Sequence, residues 1–306
     1  MKIAIAGATG FVGKGLVEIL HKNGHSLVLL ARDQAKAQKM FPQAFFAQVQ
    51  VVGYHPLILG SWQQALNGIE AVINLAGSPL SGSAWTEKVK ADILESRQLG
   101  TRVLVQAIAN ANPRPQVLIN GSAIGFYGTD LTKEFDEYSF AGKDFLAQVC
   151  QAWETEADMA ANLDLRVIKL RTGLVLGDGG ILERILPIFK LGLGGKLGTG
   201  KQWFSWIERD DLVDLIEFLL TQPQLAGIYN GTAPNPVTNA EFTEALAQAV
   251  GRPAFLPVPE FVLQIALGEA SVLALAGQKV LPKKVELAGF KFSYPQILPC
   301  LNKILN

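Results

Sequence analysis

Cysteine is scarce. Cys150 and Cys300 are the only two in 306 residues, far apart and outside any CxxC pair, so neither a disulfide framework nor a thiolate metal site is expected. With only His21, His25 and His55 to add, and none at ligand spacing to a cysteine, the expectation for a metal is none. Net charge is missing as well: 27 lysines and arginines balance 27 aspartates and glutamates, with no basic stripe interleaved with aromatics, which argues against nucleic acid as a partner. No run of about 18 uninterrupted apolar residues occurs, so no membrane span is expected. The nearest approach, 261–277, is interrupted by Gln264, Gly268, Glu269 and Ser271 and reads as a pair of helices. Met1 leads straight into Lys2-Ile3-Ala4-Ile5-Ala6, leaving no room for a signal peptide, and the expected location is cytoplasmic.

What the chain does have is apolar residues, 49% of the total against 18% charged, enough for a large packed core. Short aliphatic runs at 2–7, 26–31, 46–52, 71–75, 116–121 and 165–171 alternate with helical patterns near 11–22, 34–40, 62–67, 85–111 and 143–162. That alternation predicts an α/β fold, a doubly wound parallel Rossmann sheet with right-handed crossovers. Glycine clusters at 177–180 and 192–195 mark a change, and 208–220 and 227–231 read as a helix and a strand returning to the sheet. The expected division is therefore 1–175 with 207–231 as the dinucleotide-binding unit, and 176–206 with 232–306 as a smaller C-terminal substrate-cap region.

The motif that carries chemistry is Gly7-Ala8-Thr9-Gly10-Phe11-Val12-Gly13, which follows a strand and opens an amphipathic helix. Glycines at this spacing permit a tight turn, a close approach to a pyrophosphate, and close packing of helix on strand. The helix N-terminus then offers free N–H groups to the diphosphate. The second strand ends in Arg32-Asp33. An arginine fork there suits a 2′-phosphate and points to NADP(H), while Asp33 keeps NAD open. Leu75, Ala76 and Gly77, after Asn74, close the fourth strand with residues small enough to lie against the cofactor.

These motifs, with Ser122-Ala123-Ile124-Gly125-Phe126-Tyr127-Gly128 and Arg171-Thr172-Gly173-Leu174-Val175-Leu176-Gly177, resemble the extended short-chain dehydrogenases, the epimerase and dehydratase group. Phe145 to Glu154, Trp203-Phe204-Ser205-Trp206-Ile207 and the tail Gly289 to Pro295 are similar to an atypical subfamily of epimerase-like proteins labelled cell-division-inhibitor-like, which includes the plant giant-chloroplast protein. Many relatives carry histidine where this chain has Glu208.

The resemblance implies a Tyr-x-x-x-Lys pair, whose members share a helix face because four residues turn about 400°. None of the 5 tyrosines here is followed four residues later by lysine. On the helix expected at 143–162 stand Leu146 and Cys150 in one register, or Cys150 and Glu154 in the other. Cys150 reads as a small buried hydrophobe, and Glu154 as a buried acid or, with slight preference, a surface charge. Ser122 and Tyr127, just past the fifth strand, are the catalytic candidates: Ser122 as a hydrogen-bonding group or a turn former, Tyr127 as a proton donor or a packed aromatic. Trp203, Phe204 and Trp206 suit a pocket wall or a core equally, and Arg209, Asp210 and Asp211 read as a charged first helical turn. Two functions follow: an NADP(H)-dependent oxidoreductase or epimerase-like enzyme on a small molecule, or an NADP(H)-binding regulator with a division-related protein partner.

Overall fold

The computed structural model describes residues 1–81 and 84–305. Strand β1 (Lys2–Ala6) runs through the glycine loop into helix α1 (Phe11–Lys22) and on to β2 (Ser26–Ala31), α2 (Gln34–Met40) and β3 (Val49–Gly53). The chain then crosses to β4 (Ala71–Asn74), α3 (Glu87–Asn110), β5 (Val117–Ala123), α4 (Phe145–Asp158) and β6 (Arg166–Thr172). After α5 (Gly180–Lys190) and α6 (Arg209–Thr221) it returns as β7 (Gly227–Gly231), before α7 (Asn239–Val250). The 7 strands form one parallel sheet in the order β7-β6-β5-β4-β1-β2-β3. Strand order reverses between β1 and β4, and that crevice at the carboxyl ends is where such sheets place ligands.

Both faces of the sheet are covered, which is why its strands are nearly continuous aliphatic runs. Ile3, Ile5, Leu27, Leu29 and Ile119 meet Leu16, Val17 and Leu20 of α1 and Leu212, Leu215 and Ile216 of α6. Ala4, Ala6, Val28, Leu30 and Leu118 meet Leu104, Val105 and Ile108 of α3 on the opposite face. A third cluster gathers Leu176, Leu182, Phe189, Trp206, Phe242, Leu246, Cys300 and Leu301 beyond the sheet. There Leu174–Gly177 pairs in parallel with Trp206–Glu208, and the C-terminal helix Ile297–Leu305 lies on α7.

Two sequence expectations shift. β5 runs on to Ala123, so Ser122 lies within the strand rather than past it. The helix expected over 143–162 is α4 followed by a 3-10 turn, Met159–Leu163. The 261–277 region is helical at Glu260–Leu267 and Val272–Leu275, and no helix among the described residues is long and apolar enough to cross a membrane.

Candidate functional site

The glycine loop sits at the crevice. Gly7 has φ +89, a left-handed conformation open to glycine, and a Cβ on it would meet Leu75 C at 2.7 Å and Ala76 N at 2.9 Å. A Cβ on Gly13 would overlap the Gly7 carbonyl oxygen. The first loop and the Leu75-Ala76-Gly77 segment thus touch backbone to backbone, an approach that side chains would prevent. Gly10 is the N-cap of α1, with no side-chain cap and no acidic residue in the first turn. Thr9 and Gly10 are exposed, and Phe11 and Val12 are half-buried. Phe11 lies under the 177–180 loop, whose Gly179 would bring a Cβ within 3.1 Å of the ring, and Arg209 stands 5.6 Å from the ring centroid. An uncapped helix terminus behind a glycine-rich loop fits a dinucleotide diphosphate.

At the end of β2, Arg32 is exposed and makes no hydrogen bond or ion pair among the described residues. Asp33 is committed elsewhere: it caps α2, its carboxylate accepting from Lys36 N at 2.9 Å. The two residues that leave the cofactor choice open in the sequence therefore separate in the structure, one free and cationic, the other spent on a helix cap.

Asn74 closes β4 below the loop. Its Nδ2 donates to Asn120 Oδ1 at 2.8 Å and to Thr101 Oγ1 at 3.1 Å, and its Oδ1 accepts from Ala76 N at 3.3 Å, fixing the turn into Gly77.

Ser122 and Tyr127 belong to a buried chain behind the crevice. They are 4% and 3% exposed. Ser122 Oγ donates to Glu154 Oε1 at 2.7 Å; Glu154 holds Arg171 in two hydrogen bonds; Arg171 Nη1 donates to Tyr127 OH at 3.1 Å, and that hydroxyl donates to Asn230 Oδ1 at 2.7 Å. Arg171 also lies 3.3 Å from the Phe126 ring centroid. Burial pushes the Tyr127 phenol up to about 12, against the opposing pull of Arg171. Glu154 is thus a buried, paired carboxylate rather than a helix-surface charge.

On α4, Cys150 is buried beside the carbonyl of Ala123, at 3.6 Å, with half-buried Leu146 one turn earlier. Burial, reinforced by Glu154, pushes its thiol up to about 11, so it is protonated at neutral pH. Arg97 of α3, which the sequence reading did not single out, packs against Gly77 and the Trp153 ring. Among the described residues, no group of 3 or more histidines, cysteines or carboxylates is placed to hold a metal.

The aromatic cluster is mostly structural. Trp206 is fully buried and donates to Asn235 O at 3.1 Å, Phe204 packs on Phe242, and Trp203 donates to Leu131 O at 2.9 Å. Glu208 is the N-cap of α6, accepting from Asp210 N at 2.5 Å and Asp211 N at 3.0 Å and also from Lys303 Nζ at 2.8 Å. Asp211 reaches the tail, where Ser293 N and Tyr294 N donate to it at 2.8 and 2.9 Å.

The NAD dependent epimerase/dehydratase family model matches residues 3–230, and a domain of unknown function matches 258–304. The chain is 43% identical to the epimerase family protein SDR39U1 homolog, chloroplastic, of Arabidopsis thaliana, over 100% of this chain and 87% of that protein. It is 37% identical to the epimerase family protein YfhF of Bacillus subtilis, covering 100% and 98%. The crystal structure of human epimerase family protein SDR39U1 (isoform 2) with NADPH superposes with a TM-score of 0.87 at 32% identity, covering 100% of this chain and 99% of that one. UDP-glucuronic acid 4-epimerase from Bacillus cereus, at 17% identity and TM-score 0.79 over 100% and 96%, shares the fold. With the glycine loop at the crevice and a match across the whole sheet, the chain belongs to the NAD dependent epimerase/dehydratase family.

Proposed function

We propose that this protein is an NADP(H)-dependent enzyme of oxidoreductase or epimerase type, acting on a small molecule at the carboxyl ends of β1, β4 and β5. The observation that carries the cofactor choice is the contrast between Arg32, which is exposed with an unused fork of donors, and Asp33, whose carboxylate is used in the α2 cap. Gly7, Thr9, Gly10, Phe11, Val12 and Gly13 would hold the diphosphate, Leu75, Ala76 and Gly77 the ribose beside it, and Arg32 the 2′-phosphate. The NADPH in the human relative supports this reading.

A nicotinamide held by these residues would supply hydride transfer. No tyrosine in the sequence is followed four residues later by lysine, and on α4 stand Leu146 and the neutral Cys150 thiol. Ser122 donates its proton to Glu154, and Tyr127 donates to Asn230 while accepting from Arg171. Both are buried in this hydrogen-bonded chain, and of the roles open to them in the sequence, Ser122 as a hydrogen-bonding group or turn former and Tyr127 as a proton donor or packed aromatic, the reading takes them as positioning residues that brace the end of β5. A site without a phenolic acid suits electrophiles that stabilise negative charge themselves, such as quinones and conjugated carbonyls, with solvent supplying the proton.

The test follows nicotinamide absorbance with NADPH and a panel of quinones, enones, aldehydes and ketones. The reading expects turnover of quinones or enones ahead of simple ketones. Tight NADPH binding with no turnover across the panel would remove the enzymatic reading and leave a nucleotide-binding regulator.

A further inference from the structure

A cation without a carboxylate stands beside the crevice. Arg97 is half-buried on α3, and its Nη1 donates to the carbonyls of Ser78 and Ile93, each at 3.1 Å. Nε and Nη2 have no hydrogen-bond partner among the described residues, and no carboxylate pairs with the guanidinium there. Gly77 keeps that half of the group uncrowded: a Cβ at 77 would meet Cζ at 3.0 Å, Nη2 at 3.1 Å and Nε at 3.3 Å. The other neighbour is Trp153, whose ring centroid lies 5.1 Å from Cζ. Trp153 is 6% exposed, yet its indole Nε1 has no hydrogen-bond partner.

The unbonded indole is unusual for a group this deep, and the half-buried guanidinium is unusual in having no counter-ion. A buried donor is nearly always bonded, and a desolvated charge is costly until a counter-ion joins it. Desolvation lowers the Arg97 pKa, but a guanidinium stays charged at neutral pH. Bracing the Ser78 loop accounts for Nη1 alone. It does not account for the unused Nε and Nη2 or for the unbonded indole. The adjoining wall is apolar: from Ile93, one turn before Arg97, it continues through Trp85 and Val149 to Phe145, Leu146 and Val272.

We propose that Arg97 is the anion-binding residue of the substrate site, taking a carboxylate through Nε–H and Nη2–H while the apolar body of the molecule lies against Leu146 and Val272. A planar carboxylate matches two parallel donors of one guanidinium, and the ring beneath that guanidinium, Trp153, carries an indole N–H with no partner of its own. That the anion belongs to a substrate rests on the function proposed above; the anion site itself does not.

The test uses benzoate as the probe and the Trp153 indole N–H resonance as the readout, assigned by its loss in Trp153→Phe, with and without NADPH. Benzoate is expected to shift that resonance saturably, and benzyl alcohol is not. Arg97→Gln should weaken benzoate at least ten-fold and Arg97→Lys less, with NADPH affinity within two-fold of wild type. Gly77→Ala, which keeps the charge but crowds the guanidinium, should also weaken benzoate and serves if Arg97→Gln fails to fold. The proposal is overturned by no saturable shift, by equal binding of benzyl alcohol, by wild-type affinity in Arg97→Gln, or by binding of phenyl phosphate alone. Arg97-dependent benzoate binding in a protein that ignores NADPH would keep the anion site and discard the cofactor reading.

Discussion

Glu154 and Arg171, 17 residues apart in sequence, meet as a buried bidentate pair, with Oε1 to Nε at 2.7 Å and Oε2 to Nη2 at 2.8 Å. The same carboxylate holds Ser122, and the same guanidinium holds Tyr127, so one ion pair organises the ends of β5 and β6.

Removing one partner strands the other. Glu154→Ala leaves a buried, unpaired guanidinium and should cost about 3–5 kcal/mol in urea unfolding, whereas Glu154→Leu with Arg171→Met should recover most of that loss. A single-mutant cost under about 1 kcal/mol would place the pair outside the structural frame.

Tyr127 makes an alkaline prediction. Burial raises its pKa from 10.0 to about 12, so the native state keeps the phenol proton after the unfolded chain has lost it. The sign follows: Tyr127's contribution is fully present below pH ~10, falls as pH rises toward ~12, and amounts to about 3 kcal/mol across the window. Burial also pushes Tyr54 up to about 12, so ultraviolet titration should show late-ionising phenols whose amplitude falls by one in Tyr127→Phe; an unchanged late amplitude would contradict the burial of Tyr127.

The tail is clipped to α6 through Asp211, whose two oxygens take the Ser293 and Tyr294 amides. Asp211→Ala should cost about 1–3 kcal/mol and Asp211→Asn less, because an amide oxygen still accepts. Limited trypsin digestion should cut faster after the exposed Lys291 in Asp211→Ala, and unchanged cleavage would show that the clip does not hold the segment.

The sheet and the cofactor loop were legible because residue types encode them locally. Gly7, Gly10 and Gly13 are demanded by backbone contacts within a few residues, and alternating aliphatic runs report strands buried on both faces. Contacts that span long stretches of chain were not legible. Glu154 looked like a surface charge because Arg171 lies on another element, and Tyr127 meets Asn230 across 103 residues. Glu208 gave no hint that it caps α6 while receiving Lys303 from 95 residues away. Arg97 went unnoticed since an arginine on a helix is unremarkable until its surroundings show that no carboxylate reaches it. Ser122 was misplaced by a boundary, since a strand end read at 121 runs on to Ala123.

The central claim is that the glycine loop and Arg32 together hold a 2′-phosphorylated dinucleotide, and calorimetric titration of NADPH and NADH against wild type and Arg32→Ala tests it most directly. The account predicts tighter binding of NADPH than NADH by wild type, with the preference reduced about 10- to 100-fold in Arg32→Ala and NADH affinity little changed, as expected for losing charge-assisted hydrogen bonds. Equal affinities untouched by the substitution would contradict the 2′-phosphate assignment, and no heat with either nucleotide would contradict the site as a whole.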